Sequence, residues 1–534
     1  MKNILLLGDE AIAQAAIDAG MSGMYAYPGT PSTEIMEFIQ ASSLAAERDI
    51  HRSWSANEKT ALEAALGMSY CGKRAMVAMK HVGLNVAADP FINSAMTGVN
   101  GGLIVVSADD PSMHSSQNEQ DSRFYAKFAN LPCFEPGDQQ EAYDMIFDAF
   151  ELSEKYKLPV LFRITTRLAH SRASVRLRET LPEKKIALPA DPVQFVLLPA
   201  IARRKYKYLL EAYEKLRLDI RLTQYNSFRD GKNREMGIIA CGIAYNYLME
   251  NLEGREDEFP ILRLSAYPFP KDTVKDLTDR CKSVLVLEEG APLIEENLRG
   301  ILDEGIKIYG RMDGTVPRDG ELNPAIVARA IGLEPGAGFR IPDLVKNRPP
   351  SFCKGCGHSD MFNALIEAMK SFSSGSVFSD IGCYTLGALP PYNSINSCVD
   401  MGASVTMAVG AADAGLHPAV SVIGDSTFTH SGMTGLLDAV VKGSPVTILI
   451  SDNSTTGMTG GQDSHATGRL ENICKGLGVD ESHIRIVTPL RRNHEEMVSI
   501  MKEEMAFKGV SVIIAARECI QTATRKKKAE AGNN

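Results

Sequence analysis

The chain has few aromatic residues, 7% of 534 with a single tryptophan, and no long apolar run. A stretch of about 20 apolar residues is what a membrane-spanning helix needs, and none is present. The opening, Met1-Lys2-Asn3-Ile4-Leu5-Leu6-Leu7-Gly8-Asp9-Glu10, holds too short an apolar run for a secretion signal and turns acidic at once. It reads as a first strand. No basic stripe interleaved with aromatics occurs, and the net charge is −9, which argues against nucleic-acid binding. Cysteine is sparse, ten in all. Without a secretion signal, that usage implies a reducing, cytoplasmic setting in which thiols serve metals or redox chemistry rather than disulfides.

What is present is an ordinary globular balance, 44% apolar and 23% charged. The length suggests roughly three to four domains. From residue 1 to 190, strand-like runs at 4–7, 24–27, 75–79, 103–106 and 158–163 alternate with helical patterns such as Ile12, Ala15, Ala16 and Ala19. That alternation predicts a parallel sheet with helices on both faces. The stretch 191–235, with Arg203-Arg204-Lys205-Tyr206-Lys207, reads as a linker carrying an exposed helix. A second α/β unit runs from 236 to 340 through Gly237-Ile238-Ile239-Ala240-Cys241-Gly242, and a third from 341 to 520. The remainder, 521–534, reads as an uncommitted polar tail.

In the third unit, Val420-Ser421-Val422-Ile423 and Val446-Thr447-Ile448-Leu449-Ile450 have the composition of buried parallel strands. The first leads into Gly424-Asp425-Ser426 and the second into Asp452-Asn453-Ser454-Thr455. The carboxyl ends of parallel strands are where such sheets hold ligands. Asp425 and Asn453 would face one metal there, and their hard oxygens with a diphosphate suit Mg²⁺. Gly424 allows close backbone approach. The spacing resembles the thiamine diphosphate signature, in which Gly-Asp-Gly is followed by Asn. That resemblance implies Asp425, Asn453 and the main-chain carbonyl of Thr455 as metal ligands; Ser426 departs from the signature's second glycine.

In the first unit, Glu58 precedes Ala61, Leu62 and Ala65 by three, four and seven residues and so shares their apolar helix face. A carboxylate there is costly without a partner and suits general acid/base work; as a helix-start acid it also complements the macrodipole. In Tyr25-Ala26-Tyr27-Pro28-Gly29-Thr30-Pro31-Ser32-Thr33-Glu34, Thr30 is the predicted N-cap and Pro31 the first helical residue, placing hydroxyl and N–H groups where an anion docks. Met79-Lys80-His81-Val82-Gly83-Leu84-Asn85 follows another strand end and is expected to line the same cleft. Arg123 is a candidate bidentate clamp for a substrate carboxylate, or else a salt-bridge partner of Asp121 or Glu119.

Cys353-Lys354-Gly355-Cys356-Gly357-His358 opens the third unit; Cys383 follows a strand-like run and Cys519 ends the last predicted strand. All four cysteines can meet at one sheet edge. Four thiolates suit a tetrahedral zinc or a 4Fe-4S cluster, and spacing does not choose between them. The other six read as separate buried thiols.

Together Tyr27-Pro28-Gly29-Thr30-Pro31-Ser32, Asn57-Glu58-Lys59, Met79-Lys80-His81-Val82-Gly83, the 353–358 motif, Gly424-Asp425-Ser426-Thr427-Phe428 and 452–462 resemble the alpha subunit of the indolepyruvate:ferredoxin oxidoreductases, within the 2-oxoacid:ferredoxin oxidoreductase family. The likeness covers nearly the whole chain. It implies an α/β fold of three doubly wound domains: two thiamine diphosphate-binding parallel sheets, for pyrimidine (1–190) and diphosphate (341–520), flanking a transketolase-C-like domain (236–340). It implies thiamine diphosphate, Mg²⁺ and a 4Fe-4S cluster on Cys353, Cys356, Cys383 and Cys519, with Gly424, Asp425, Ser426, Asn453 and Thr455 at the diphosphate. Glu58 would address the aminopyrimidine, and Thr30 and Arg123 would orient substrate. The implied reaction is oxidative decarboxylation of an arylpyruvate such as indolepyruvate to acyl-CoA. Coenzyme A, a beta subunit in a heterodimer, and ferredoxin or another electron acceptor would take part. The family usually ends in a ferredoxin-like domain with two cysteine-rich runs that this sequence lacks, which leaves electron exit to a separate protein or a different route. A non-oxidative thiamine-dependent 2-oxoacid decarboxylase or lyase, and a non-catalytic assembly subunit, are the alternative readings.

Overall fold

A computed structural model describes residues 3–532 except 192, 222, 269, 270, 301, 303, 304, 337, 339 and 347–349. The chain forms two compact units, 1–339 and 340–534. Among the described residues no helix is long and apolar enough to cross a membrane.

The first unit is built on a seven-stranded sheet. Its order is Ala266–Tyr267, Cys133–Phe134, Val160–Thr165, Leu103–Asp109, Ala75–Lys80, Gly23–Ala26 and His51–Trp54. Every pairing is parallel except that of Ala266–Tyr267 at the edge. The central strands are buried along their whole length, which is why they read as unbroken apolar runs rather than alternating ones. The opening strand, Asn3–Leu7, differs from expectation. It pairs antiparallel with Arg172–Arg176 in a separate two-stranded ribbon, and Leu5 is exposed. Only alternate residues of that run face the protein, so it does not suit a sheet covered on both sides.

A second, five-stranded sheet runs in the order Lys307–Tyr309, Ser283–Leu287, Met236–Cys241, Ile261–Leu264 and Asn226–Arg229, the last antiparallel. The two sheets share one unit for two reasons. Ala266–Tyr267, which follows directly on the second sheet, crosses to pair with Cys133–Phe134 of the first. A buried ionic network, described below, joins them elsewhere. The stretch read as a linker with an exposed helix contains the helix Pro199–Arg221. Leu209, Ala212, Leu216 and Ile220 of that helix are buried at helical spacing, while Tyr206, Tyr208, Leu210 and Leu218 face solvent.

The second unit carries six parallel strands in the order Ser397–Cys398, Ser376–Ser379, Ala419–Gly424, Val446–Asp452, Ser511–Ala516 and Ile484–Val487. Alternate strand residues feed two cores. Ile423, Ile448, Ile450 and Val512 pack with Val405 and Leu436. Val420, Val422, Leu449 and Ile513 pack with Met361, Phe362 and Met501. Helices therefore cover both faces, as a doubly wound sheet requires. The predicted polar tail is a correction: Ile520–Gly532 is helical, and residues 533 and 534 lie outside the described residues. Its Ala, Lys and Arg content favours helix. Arg525 also donates to the Gly460 carbonyl and Lys526 pairs with Glu518, which fixes the start of the helix to the body of the unit.

Candidate functional site

The carboxyl edge of the first sheet gathers most of the residues singled out in that unit. Asn57 caps the helix Glu58–Tyr70, its side chain accepting from the Thr60 N–H at 2.8 Å. Glu58, at the first helical position, is 5% exposed. Lys59 and Glu63 instead form an exposed pair one turn apart. Glu58 packs against Gly83 in the short helix His81–Val86, where an added Cβ would lie 2.6 Å from both Cγ and Oε1 of the glutamate. Glycine at 83 is thus what gives that carboxyl group its room.

The Thr30 loop is built differently from its predicted cap. The helix begins at Thr33, with Ser32 as N-cap. The Gly29 N–H donates to the Thr33 hydroxyl at 3.0 Å and the Ser32 hydroxyl donates to the Gly29 carbonyl at 2.8 Å. These bonds close the turn two residues later than Thr30, leaving Thr30 half-buried outside the helix. The Ser115 hydroxyl donates to the Thr30 carbonyl, and Lys80 Nζ donates to the Ser115 carbonyl at 2.7 Å and reaches its hydroxyl at 3.1 Å. Burial pulls the Lys80 ammonium from its ordinary value down to about 8, with the Asp110 carboxylate opposing. His81, 1% exposed, bonds Asn118 through Nε2. The sequence marked this segment as cleft lining; the cation beside Thr30 is Lys80.

Arg123 is elsewhere. It is 1% exposed and its guanidinium meets Asp121 at 2.5 Å, Glu288 at 3.1 Å and Glu135 at 3.5 Å, with the Ala291 carbonyl at 3.0 Å. Arg163 lies alongside, bonding Asp109 at 2.6 Å, Glu135, and the Glu289 carbonyl at 2.8 Å. This network spans both sheets of the unit. Burial works against the charge of Asp121, but the two guanidiniums outweigh it and hold the group at about 2. Burial raises Asp109 and Glu289, and lifts Glu288 to about 7 against the pull of Arg123. The surroundings of Arg123 are those of a buried structural ion pair, with its donors directed at protein acceptors.

In the second unit every strand end points to one edge. Position 424, at the end of its strand, takes glycine because an added Cβ would fall 2.6 Å from Cε1 of Tyr384, whose ring also blocks a side chain at Gly382 at 2.3 Å. Tyr384 thus fills the space beside the Cys383 loop, its hydroxyl bonding the buried Asp380. Asp425 opens a helical segment that continues as a π-helical turn, Phe428–Gly432, and then as the helix Met433–Lys442. Such turns recur at functional sites. Asp425 is 2% exposed, and among the described residues its Oδ2 has no hydrogen-bond partner. Burial pushes it up to about 7; a bond from Ser464 opposes this and Asp452 adds to it. Ser426, at the departure from the signature, bonds Thr456 through its hydroxyl at 3.0 Å and so links the two strand ends. Ser454 sits at φ 56°, the left-handed region, between two local bonds: its own N–H to Asp452 Oδ1 at 3.0 Å and the Thr455 N–H to Asn453 Oδ1 at 3.1 Å.

Cys353, Cys356, Cys383 and Cys519 all line one cavity of about 100 Å³, together with Asn453 and Gly457. The Cys519 N–H donates to the Asn453 carbonyl at 3.0 Å, so the last cysteine is tied directly to the strand end bearing the second candidate metal ligand. Burial pushes the Cys383 thiol up to about 12, with Cys356, Cys519, Cys353 and Asp425 each adding. His358, absent from the sequence-based site, contacts Cys356 Sγ through Nδ1 at 3.1 Å, and burial lowers it to about 4.

Comparison with known proteins agrees with this geometry. The family model "Pyruvate flavodoxin/ferredoxin oxidoreductase, thiamine diP-bdg" matches residues 14–199, and "Thiamine pyrophosphate enzyme, C-terminal TPP binding domain" matches 380–515. The chain is thus of the thiamine diphosphate-dependent oxidoreductase class. The indolepyruvate oxidoreductase subunit IorA of Archaeoglobus fulgidus is 39% identical over 99% of this chain and 88% of its own length. That of Methanothermobacter thermautotrophicus is 38% identical over 97% of this chain and 87% of its own. The chain belongs to the indolepyruvate oxidoreductase subunit IorA family. A solved 2-oxoglutarate:ferredoxin oxidoreductase from Magnetococcus marinus shares the fold, at TM-score 0.50 and 17% identity over 62% of this chain and 64% of that one.

Proposed function

We propose that this chain is the thiamine diphosphate-binding alpha subunit of an oxidoreductase that decarboxylates arylpyruvates, indolepyruvate among them, to acyl-CoA, working with a beta subunit and passing electrons to ferredoxin or a similar acceptor. The observation that carries the reading is the single sheet edge of the second unit, where Asp425, Asn453 and four cysteines come together. The names of the curated relatives supply the substrate class.

The unpaired, buried Asp425 Oδ2 fits a cation, since an ionised carboxylate is costly there without one. Asp425, Asn453 and the Thr455 carbonyl would hold Mg²⁺, whose preference for oxygen ligands and phosphates matches this set. Bound there, thiamine diphosphate supplies the electron sink for loss of carbon dioxide from a 2-oxoacid. Glu58 is assigned the proton exchange with the aminopyrimidine, in the close packing that Gly83 permits. For the substrate carboxylate the reading favours Lys80 with Thr30, and it leaves Arg123 out of the site.

The cysteines are assigned a 4Fe-4S cluster. Four thiols lining one cavity beside Asn453 supply the ligand number that such a cluster takes.

The test is anaerobic purification with the beta subunit, analysis for iron, sulfide and thiamine, and acceptor reduction across a panel of 2-oxoacids. The expected result is about four irons per alpha subunit and acceptor reduction that depends on coenzyme A and is fastest with arylpyruvates. Colourless, iron-free protein that releases carbon dioxide without an acceptor would establish the non-oxidative alternative.

A further inference from the structure

Asp9 is the most anomalous carboxylate outside the site just described. It lies in the first turn of the helix Gly8–Asp18, is 0% exposed, and no hydrogen-bond donor of the described protein reaches either of its oxygens. The groups that act on it electrostatically are themselves acidic, Glu34 and Glu10, and burial with these neighbours raises it well above the carboxylate range. The Asp9 and Glu34 carboxyl groups approach closely enough to share a proton or a cation. Among the described residues no donor reaches Glu34 Oε2 either, while its Oε1 stands 3.5 Å from His170 Nε2.

One ligand atom from each of Asp9, Glu34 and His170 lies within 4.8 Å of the other two. Ligands about 2.0–2.2 Å from one ion stand roughly 3–4 Å apart, inside that limit, and Glu34 Oε1 and His170 Nε2 stand at 3.5 Å. The three come from different elements: the first helix, the helix Thr33–Ala41 that follows the Thr30 loop, and the short helix Thr166–His170. Gly8 permits the close approach of the first helix to the Thr166–His170 helix, since an added Cβ would lie 2.2 Å from the Leu168 carbonyl oxygen. Glu34 and His170 are each 35% exposed at the side chain, which gives an ion an entry route and room for water ligands.

We infer that Asp9, Glu34 and His170 form a site for a divalent first-row metal ion with mixed imidazole and carboxylate ligation, of the Mn²⁺ or Zn²⁺ type. The imidazole disfavours Ca²⁺ and Mg²⁺, which take oxygen ligands. The ion ties the helix behind the Thr30 loop to the start of the chain. This site is independent of the coenzyme assignment and of the cysteines.

The probe is Mn²⁺ added to the full-length chain stripped with chelator and free of thiamine diphosphate, followed by electron paramagnetic resonance and thermal unfolding. Mn²⁺ has little affinity for thiolates, so the cysteines do not contribute. The wild-type chain is expected to bind one Mn²⁺ more than Asp9→Asn and one more than His170→Ala, to release it to Zn²⁺, and to gain a rise in Tm that both variants lose. The amide of Asp9→Asn can donate to the Glu34 carboxylate, and the variant is expected to fold. Equal Mn²⁺ counts in all three proteins overturn the site, as does a count that falls with Asp9→Asn but not with His170→Ala. The first of those outcomes would make Asp9 and Glu34 a proton-sharing pair.

Discussion

Replacing Arg123 with methionine separates two roles that an arginine in this sequence context can play. In the structure its guanidinium is paired with Asp121 at 2.5 Å and Glu288 at 3.1 Å and is fully buried. Removing one partner of a buried ion pair costs about 3–5 kcal/mol, chiefly because the other charge is left behind. For a unit of this size each kcal/mol moves Tm by roughly 2 °C, so the expected fall is roughly 6–10 °C. The pH dependence follows from Asp121. Its carboxyl is held at about 2 rather than 3.8, so the stabilisation is fully present above the ordinary value and is lost as pH falls from 3.8 through about 2. At neutral pH the whole penalty of the substitution is therefore felt. Glu288 acts in the opposite sense: being raised from 4.5 to about 7, its burial costs stability progressively as pH climbs through that window. Arg123→Met should thus be paired with Glu288→Gln, which mimics the protonated acid and is expected to lose less. The assays are calorimetry and steady-state kinetics on the holoenzyme. An unchanged Tm with KM for the 2-oxoacid raised tenfold or more would refute the structural reading and restore Arg123 as a substrate clamp.

Other substitutions address the assigned machinery. Gly83→Ala places a methyl 2.6 Å from the Glu58 carboxyl group; turnover is expected to fall at least tenfold with a stability loss of about 1–3 kcal/mol, read by kcat and chemical unfolding. Lys80→Met should raise KM for the 2-oxoacid by tenfold or more while thiamine binding stays intact, and a kcat-only effect would exclude carboxylate recognition. Asp425→Ala is expected to abolish Mg²⁺-dependent thiamine diphosphate binding, measured by calorimetric titration; retained affinity would remove Asp425 from the metal site.

The strands of both large sheets were legible because burial on two faces leaves no alternation to mislead: Ala75–Lys80, Leu103–Asp109, Ala419–Gly424 and Val446–Asp452 are mostly apolar and buried almost along their whole length. The doubly wound class followed from their alternation with helices. The opening strand misled for the same reason. Ile4-Leu5-Leu6-Leu7 is as apolar as a buried strand, yet Leu5 is exposed in a ribbon closed by Arg172–Arg176, far along the chain. Composition does not encode which partner a short strand finds. The C-terminal helix was hidden by its charge. A run of Lys and Arg reads as solvated tail unless the Arg525 contact with Gly460 is visible, and that contact spans 65 residues.

For the candidate site the distinction is between residues placed by a strand end and residues placed by charge. Asp425, Asn453, Cys383 and Cys519 each sit just beyond a parallel strand, and such ends converge at one edge whatever the side chains are. Arg123, Lys80 and Asp9 have no such rule. Two guanidiniums, Arg123 and Arg163, are shared among Asp109, Asp121, Glu135, Glu288 and Glu289, and which carboxyl keeps its charge depends on distances set by four separate segments. Once those carboxyls claim Arg123, the cation left beside Thr30 is Lys80, held through Ser115 and poised near neutrality by its burial. The same logic exposes Asp9, whose ionisation is opposed by burial and by Glu34 and Glu10. A helix-start aspartate is unremarkable in sequence, and only the approach of Glu34 and His170 turns it into a group that needs a counter-ion.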